Sequence, residues 1–172
     1  LQNNSSASQN TAIGSSALAN HSYNPGFAWN SDNVAVGFQA LYANHPTSVT
    51  NGCINTAVGS TALMSNTTGW ANTAIGALAL NANTTGEGNS ATGVYALRFN
   101  TLGHNNVANG TSAMQYNTTA GQNETIESCG VESQCRTASH RKSDGQSFPC
   151  NLRDARDPPQ DYRRRDVHFL SF

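Results

Sequence analysis

The sequence predicts an all-β fold, a parallel β-solenoid (β-roll) of stacked 17-residue coils. Three observations support it: an internal repeat, two short apolar stretches in every unit, and turn-forming residues between them. Three segments are expected. A lead-in occupies residues 1–9, the solenoid residues 10–123, and a charged, cysteine-containing tail residues 124–172. The tail does not resemble the repeats, and its composition predicts a flexible or poorly packed segment.

The repeat consists of six copies that each begin with asparagine. Their first residues are Asn10, Asn33, Asn55, Asn72, Asn89 and Asn106, and a seventh start falls at Asn123. The last four copies keep a constant 17-residue period, whereas the first two intervals are longer. The additional residues lie near 22–32 and 45–54. Insertions confined to one point of a repeat indicate surface loops.

Several positions of the unit do not vary. The third residue is alanine in every copy, and the fifth is glycine, at Gly14, Gly37, Gly59, Gly76, Gly93 and Gly110. The ninth is leucine in the first five copies, at Leu18, Leu41, Leu63, Leu80 and Leu97. Because like residues stack along a solenoid, a position that abuts a tight corner or another chain must be small in every coil.

Glycine, asparagine, serine and threonine interrupt the apolar stretches too often for helices. Each stretch is about five residues long, and no apolar series at helical spacing continues beyond one turn. The unit is therefore predicted to contain two strands of four to six residues and two turns, one of them Asn-Thr-Thr-Gly. Stacked Asn-Thr-Thr columns are expected to form ladders of side-chain hydrogen bonds.

Self-association is expected because one coil buries little apolar surface. Two aliphatic side chains per coil must offset the conformational entropy lost by about 17 ordered residues. Ladders between coils and contacts with further copies of the same chain are predicted to supply the remaining stability. The expected assembly is a homotrimer or a filament.

Charge is scarce and unevenly distributed. The 172 residues carry 10 acidic and 9 basic side chains, and only Asp32, Glu87 and Arg98 among them precede Glu124. The formal net charge of −1 offers no basic surface to nucleic acid or to an anionic membrane. No apolar run approaches the roughly 18 residues that span a bilayer. Neither a nucleic-acid partner nor membrane insertion is expected, and an opening without methionine favours a mature product or an excised fragment.

No catalytic residue, metal site or cofactor is expected. The three histidines of the repeats, His21, His45 and His104, lie in or near loops, where the expected state is a solvated side chain. Calcium-binding β-rolls need recurrent aspartates, and Asp32 is the sole aspartate before residue 144. Serine and threonine are abundant, but a hydroxyl without a neighbouring base is inert. The sequence therefore predicts a protein that is not an enzyme.

Four aromatic residues are candidate ligand contacts. Tyr23 and Trp29 lie in the first insertion, Tyr42 in the second copy, and Trp70 in a turn. None occupies a position where the repeat requires an apolar side chain. Exposed aromatic rings on loops suit stacking on sugar rings and recognition in general. The alternative is that the rings pack locally against their own coil.

The cysteines form no recognisable metal motif. Cys53 lies in an insertion and Cys129, Cys135 and Cys150 lie in the tail, without a C-x-x-C pair. A structural role is expected, and a disulfide between Cys129 and Cys135 is the alternative in an oxidising compartment.

N-x-[ST] sequons accompany the Asn-Thr-Thr turns. They start at Asn3, Asn4, Asn20, Asn66, Asn83, Asn109, Asn117 and Asn123. Most are by-products of the turn, and glycosylation is an expectation only for a eukaryotic secretory setting.

The string N-T-A-[IV]-G-x-x-A-L-x-x-N-T-T-G resembles the head repeats of trimeric autotransporter adhesins. It is more similar still to the NTAVG-type, 17-residue repeats of phage tail-fibre and related surface-fibre proteins. The resemblance covers residues 10–123. It implies a left-handed β-roll on a threefold axis and a homotrimeric module for attachment, located extracellularly, on a cell surface or on a virion surface. The serine-lysine chemistry of autocleaving tail-fibre chaperone domains is not recognisable here.

Two functional hypotheses follow. The first is a non-enzymatic fibre or adhesin module whose repeat loops attach to a host cell surface or matrix, through a glycan or a protein receptor. The alternative is a purely structural filament or spacer with no ligand of its own. An enzyme whose catalytic groups lie in the tail is a third hypothesis, which the sequence favours least.

Overall fold

Nine short parallel strands make up the fold of the computed structural model, which describes residues 6–125. They are β1 (Ala7–Ser8), β2 (Thr11–Ile13), β3 (Trp29–Asn30), β4 (Val34–Val36), β5 (Thr56–Val58), β6 (Thr73–Ile75), β7 (Ser90–Thr92), β8 (Val107–Asn109) and β9 (Glu124–Thr125). Seven of them form one sheet in the order β2-β4-β5-β6-β7-β8-β9. No helix occurs in this part of the chain, so the predicted all-β parallel solenoid is confirmed. The first two residues of the predicted tail, Glu124 and Thr125, form β9, so the sheet continues past the predicted boundary at residue 123. The rest of the predicted flexible tail, with its three cysteines, lies outside the described residues.

Successive coils stack with like residue on like residue. We number the coils 1 to 6 from their first residues, Asn10, Asn33, Asn55, Asn72, Asn89 and Asn106. The central alanine of each strand pairs with the central alanine of the next strand, as Ala57 does with Ala74 and Ala74 with Ala91. Parallel neighbours require a crossover, and the remainder of each coil provides it.

The first insertion adds a partial coil to the start of the stack. Strand β3, within this insertion, pairs in parallel with β1 of the lead-in, and Ala7 lies opposite Trp29. The lead-in therefore has a partner in the fold, because the inserted residues bring a second strand alongside it.

The second apolar stretch of each coil is not a strand, so the prediction of two strands per coil is wrong. Each coil contributes one three-residue strand to the long sheet, and the alanine-leucine stretch is a series of turns. Its leucine has a positive φ, for example 49° at Leu63 and 49° at Leu80. A left-handed residue prevents the chain from being extended. Neighbouring coils are nevertheless bonded here, because the Leu63 amide donates to the Ala79 carbonyl at 3.0 Å.

The core is a narrow column between the strand and the alanine-leucine stretch. It consists of alanines at the third and eighth positions and the leucine at the ninth, and this ninth-position leucine is fully buried in coils 1 to 5. Because the strand and the alanine-leucine stretch both point into this column, their outward side chains face opposite sides of the molecule. We call the outward side of the strands the strand face, and the outward side of the alanine-leucine stretch the turn face.

The glycine at the fifth position stacks in single file, as predicted. A methyl group added to Gly59 would lie 2.5 Å from the carbonyl oxygen of Gly76, and one added to Gly76 would lie 2.5 Å from that of Gly93. The backbone also has a positive φ there, 133° at Gly76. Glycine is required because the next coil's backbone occupies the space of a side chain and because the corner is left-handed.

Two columns of asparagines, all buried except the half-buried Asn117, run along the stack, which confirms the predicted ladders for asparagine. The strand ladder contains Asn33, Asn55, Asn72, Asn89, Asn106 and Asn123, and the turn ladder contains Asn44, Asn66, Asn83, Asn100 and Asn117. In the turn ladder, Asn83 Nδ2 donates to Asn66 Oδ1 at 2.9 Å and to the Gly86 carbonyl at 2.9 Å. In the strand ladder, Asn72 Nδ2 donates to the same carbonyl at 2.8 Å. One glycine carbonyl thus links both ladders within a coil.

The threonines of the Asn-Thr-Thr turns do not form a side-chain ladder of their own. Thr67 Oγ1 donates to the backbone carbonyl of Thr84 at 3.0 Å, and Thr84 Oγ1 donates to that of Thr101 at 3.1 Å. Threonine therefore ties coil to coil through the backbone, and only asparagine links side chain to side chain.

Candidate functional site

Trp70 and Glu87 form the most prominent polar and aromatic pair on the surface. They occupy the position after the turn glycine in coils 3 and 4, and His104 occupies it in coil 5. The Trp70 indole is 41% exposed, and its Nε1 donates a hydrogen bond to the Glu87 carboxylate. We call Trp70, Glu87 and His104 the surface column.

Backbone hydrogen bonds hold the surface column in line. The Gly88 amide donates to the Trp70 carbonyl at 3.1 Å, and the Asn105 amide donates to the Glu87 carbonyl at 2.9 Å. The column thus presents an indole face, a carboxylate and an imidazole along one edge of the stack, with Glu87 and His104 both exposed. An aromatic face beside a hydrogen-bond acceptor is suited to an amphipathic ligand such as a sugar.

The two aromatic candidates of the first insertion come together in a small second core. Trp29 is 6% exposed and packs with Ala7, Cys53 and Tyr23. Its ring lies 5.9 Å from that of Tyr23 in an edge-on arrangement. Trp29 therefore packs against its own coil, as the alternative interpretation predicted. Tyr23 is half-buried beside it.

Tyr42 lies apart from the other three candidates. It is half-buried on the turn face of coil 2, at the position after the core leucine. Of the four candidates, Trp70 is the one with an exposed ring, so the structure does not gather them into one surface. Their role as ligand contacts stays a prediction.

A second aromatic group, on the turn face of coils 5 and 6, was absent from the sequence candidates. It comprises Tyr95, Arg98, Phe99 and Tyr116, and the rings of Phe99 and Tyr116 stack at 5.5 Å. The sequence contains a signal for it: Phe99 and Tyr116 occupy the same position of consecutive copies, and Arg98 is one of the few charged residues of the repeats. We call these four residues the arginine patch.

His21 is not a solvated loop residue, so that prediction is wrong. The side chain is fully buried and occupies the place that asparagine holds in the turn ladder. Asn44 Nδ2 donates to His21 Nδ1 at 2.9 Å, and His21 Nε2 lies 3.1 Å from Ser31 Oγ. Because an amide NH₂ only donates, Nδ1 accepts and Nε2 carries the proton. Burial, assisted by the neighbouring charge of His45, lowers the pKa of His21 from 6.5 to about 4. His45 and His104 are exposed.

A serine joins the ends of the two ladders. Ser31 Oγ donates to Asn10 Oδ1 at 2.8 Å, and the same oxygen accepts the Asn33 amide at 3.0 Å. The two ladders are therefore linked at coil 1 by the Ser31 hydroxyl, which bonds to His21 and to Asn10. In the later coils a backbone carbonyl makes this link.

The turn sequons place their asparagines inside the molecule. Asn66, Asn83 and Asn117 belong to the turn ladder, and Asn66 and Asn83 are fully buried. Asn109 is exposed. A glycan on Asn66 or Asn83 would require loss of the ladder hydrogen bonds.

Cys53 is a free, buried thiol of the second core. Burial raises its pKa, and the charge of Asp32 acts in the same direction. A buried thiol of raised pKa is a poor nucleophile, which agrees with a structural role.

Within residues 6–125, no three side chains among histidine, cysteine, aspartate and glutamate are close enough to hold a metal ion. In the same part of the chain, no helix has the length and apolar character needed to cross a membrane. Comparison with protein-family models, with curated proteins and with solved structures found no match to the chain.

Proposed function

We propose that the chain is a non-enzymatic fibre or adhesin module, which displays side chains of its repeat surface for attachment to a host cell surface or matrix. The observation that carries this proposal is the surface column, where the exposed indole of Trp70 donates to the carboxylate of Glu87. Neither residue belongs to the core or to the ladders. A rigid stack that holds an aromatic ring and an acceptor in fixed positions has the properties of a recognition surface.

The proposed working form is a homotrimer on an extracellular, cell or virion surface. Support comes from the strand face, where β-branched apolar side chains follow one another from coil to coil at Ile13, Val36, Val58 and Ile75. Ile13 is 61% exposed and Ile75 is 43% exposed. A continuous apolar stripe beside a thin core favours coverage by further copies of the same chain.

Binding of the full chain to a glycan array and to cultured cells tests the adhesin proposal. We expect Trp70→Ala to weaken the binding at least about tenfold, because loss of one stacking ring and its orienting hydrogen bond costs roughly 1.4 kcal/mol or more. Leu102→Ala is the matched control, since Leu102 is 54% exposed in the turn of coil 5, outside the surface column.

The alternative function, a structural filament or spacer, predicts another result. A folded chain that binds none of the arrayed glycans and no cell would contradict the adhesin proposal and favour the spacer. Unchanged binding by Trp70→Ala would show that the surface column is not the contact.

A further inference from the structure

The arginine patch contains an isolated positive charge. Arg98 is the sole lysine or arginine within residues 6–125. Its guanidinium carbon lies 5.1 Å from the centre of the Tyr95 ring and 4.8 Å from that of the Phe99 ring. Both distances are within the range of a cation–π interaction. The guanidinium is therefore held in place by two rings.

One donor of the patch lacks an acceptor in the surroundings that the structure describes. Arg98 Nε is buried and lacks a hydrogen-bond partner among the described residues. Arg98 also forms no ion pair with any carboxylate in that part of the chain. Buried donors without partners are rare in folded proteins, and a missing acceptor is one explanation for them. A guanidinium without an ion pair among these residues favours an anionic partner.

The rings of the patch are not needed by the solenoid. The position of Phe99 is occupied by Ala43, Ser65 and Ala82 in the three preceding coils, which shows that a small residue serves the fold there. Phe99 is 36% exposed and Tyr116 is 44% exposed, and the planes of their stacked rings are 22° apart. Two coils thus contribute a pair of stacked, partly exposed rings beside the arginine.

We propose that the arginine patch binds a carboxylated sugar residue of a glycan. The guanidinium fork matches a carboxylate with two parallel hydrogen bonds, and the exposed parts of the Phe99 and Tyr116 rings lie beside it to contact the apolar face of a pyranose ring. This inference rests on the proposed attachment function and adds to it a second site, on the turn face, with a defined class of ligand. The surface column and the arginine patch are separate sets of residues.

The test measures binding of the full chain to an oligosaccharide that ends in glucuronic acid and to the same oligosaccharide with its carboxyl group reduced. We expect the acid to bind at least about tenfold more tightly. Arg98→Gln is expected to abolish this preference, and Arg98→Lys to retain part of it, because an ammonium keeps the charge but loses the fork. Met64→Ala is the control, since Met64 holds the position of Arg98 two coils earlier.

Several results would overturn the proposal. They are equal binding of the acid and its reduced form, binding of a sulfated neutral sugar alone, a preference that survives Arg98→Gln, or no binding of the acid by the folded chain. If Arg98→Gln fails to fold, Tyr116→Ala tests the same site. This variant is expected to bind the acidic oligosaccharide severalfold more weakly. Acid binding without attachment to any cell would contradict the proposed function and leave this inference intact. Attachment to cells that depends on Trp70, by a chain that does not prefer the acid, would support the proposed function and contradict this inference.

Discussion

The glycine at the fifth position shows how one residue restricts the whole stack. Its Cα faces the backbone of the following coil, so the spacing between coils leaves no room for a methyl group. The same residue turns the chain through a left-handed corner. The sequence was sufficient to predict a small residue here, because six aligned copies all carry glycine.

Gly76→Ala is expected to destabilise the protein by about 3 kcal/mol, the sum of overpacking and an unfavourable φ. Gly26→Ala is the control, because Gly26 has a positive φ of 86° but no atom within 4 Å of an added methyl group. It should cost only about 1 kcal/mol. Urea unfolding of both variants measures the difference, and equal losses would contradict the close approach between coils.

His21 predicts a dependence of stability on pH. Its pKa is about 4 in the folded protein and 6.5 in the unfolded chain. The unfolded state therefore takes up the proton first as the pH falls. The stability contributed by neutral His21 is complete above pH 6.5 and is lost between pH 6.5 and about 4, by up to about 3 kcal/mol.

His21→Asn should flatten this part of the pH profile, because asparagine occupies the same place in every other coil of the turn ladder. His104→Asn changes an exposed histidine and serves as the control. Urea unfolding between pH 4 and 7 measures the profile. If the unfolding free energy of His21→Asn still falls between pH 7 and 4, other titrating groups cause the pH dependence.

Hydrogen bonds outside the strands, among them those of the asparagine ladders, also join one coil to the next. The strands have only three residues in most coils, whereas the asparagine columns continue from coil 1 to the last coil. Repetition in the sequence was enough to predict that like side chains stack. It was not enough to predict the conformation of the second stretch, because leucine seldom adopts a positive φ and nothing in its composition signals one.

The position of His21 in a ladder could have been predicted from the sequence. The first insertion follows His21, so the twelfth residue of each copy can be aligned before the insertions begin. That alignment places His21 with the asparagines of the turn ladder. The prediction of a solvated His21 was wrong because it considered only the loop composition around this residue.

Asn83→Leu should destabilise the protein by roughly 2 to 5 kcal/mol. The change leaves Asn66 Oδ1 without a donor inside the core and removes one of the two bonds of Asn100 Nδ2. The Gly86 carbonyl loses the Asn83 bond and keeps the one from Asn72. Asn81→Leu is the control, since this half-buried side chain gives up a single bond, to the Thr61 carbonyl. Thermal unfolding of the two variants should show the larger loss for Asn83. A smaller loss for Asn83 would contradict the importance of the ladder.

At the scale of the whole molecule, the two faces of the stack have different character. The strand face carries the apolar stripe, whereas the turn face carries the arginine patch. The proposed trimer would cover the first and leave the second accessible to ligands. The sequence predicted self-association from the thin core. It could not predict the stripe, because exposure of Ile13 and Ile75 follows from the direction of each strand.

Ile75→Glu is expected to convert the full chain from a trimer to a monomer in light scattering at micromolar concentration, because three buried carboxylates would meet near one axis. Leu102→Glu introduces the same charge at an exposed apolar residue away from the strand face and should leave the trimer intact. A wild-type chain that is monomeric and folded would refute the trimer.

Like-on-like pairing also makes the length of the rod adjustable. Coils 3 to 6 share one constant period and present the same alanine, glycine and asparagine junctions to their neighbours. Duplication or deletion of one whole unit in the coding sequence would therefore create no new kind of junction, and would lengthen or shorten the rod by about 4.8 Å. The length of the rod can thus change in evolution through the number of repeat units, without substitutions in the existing coils.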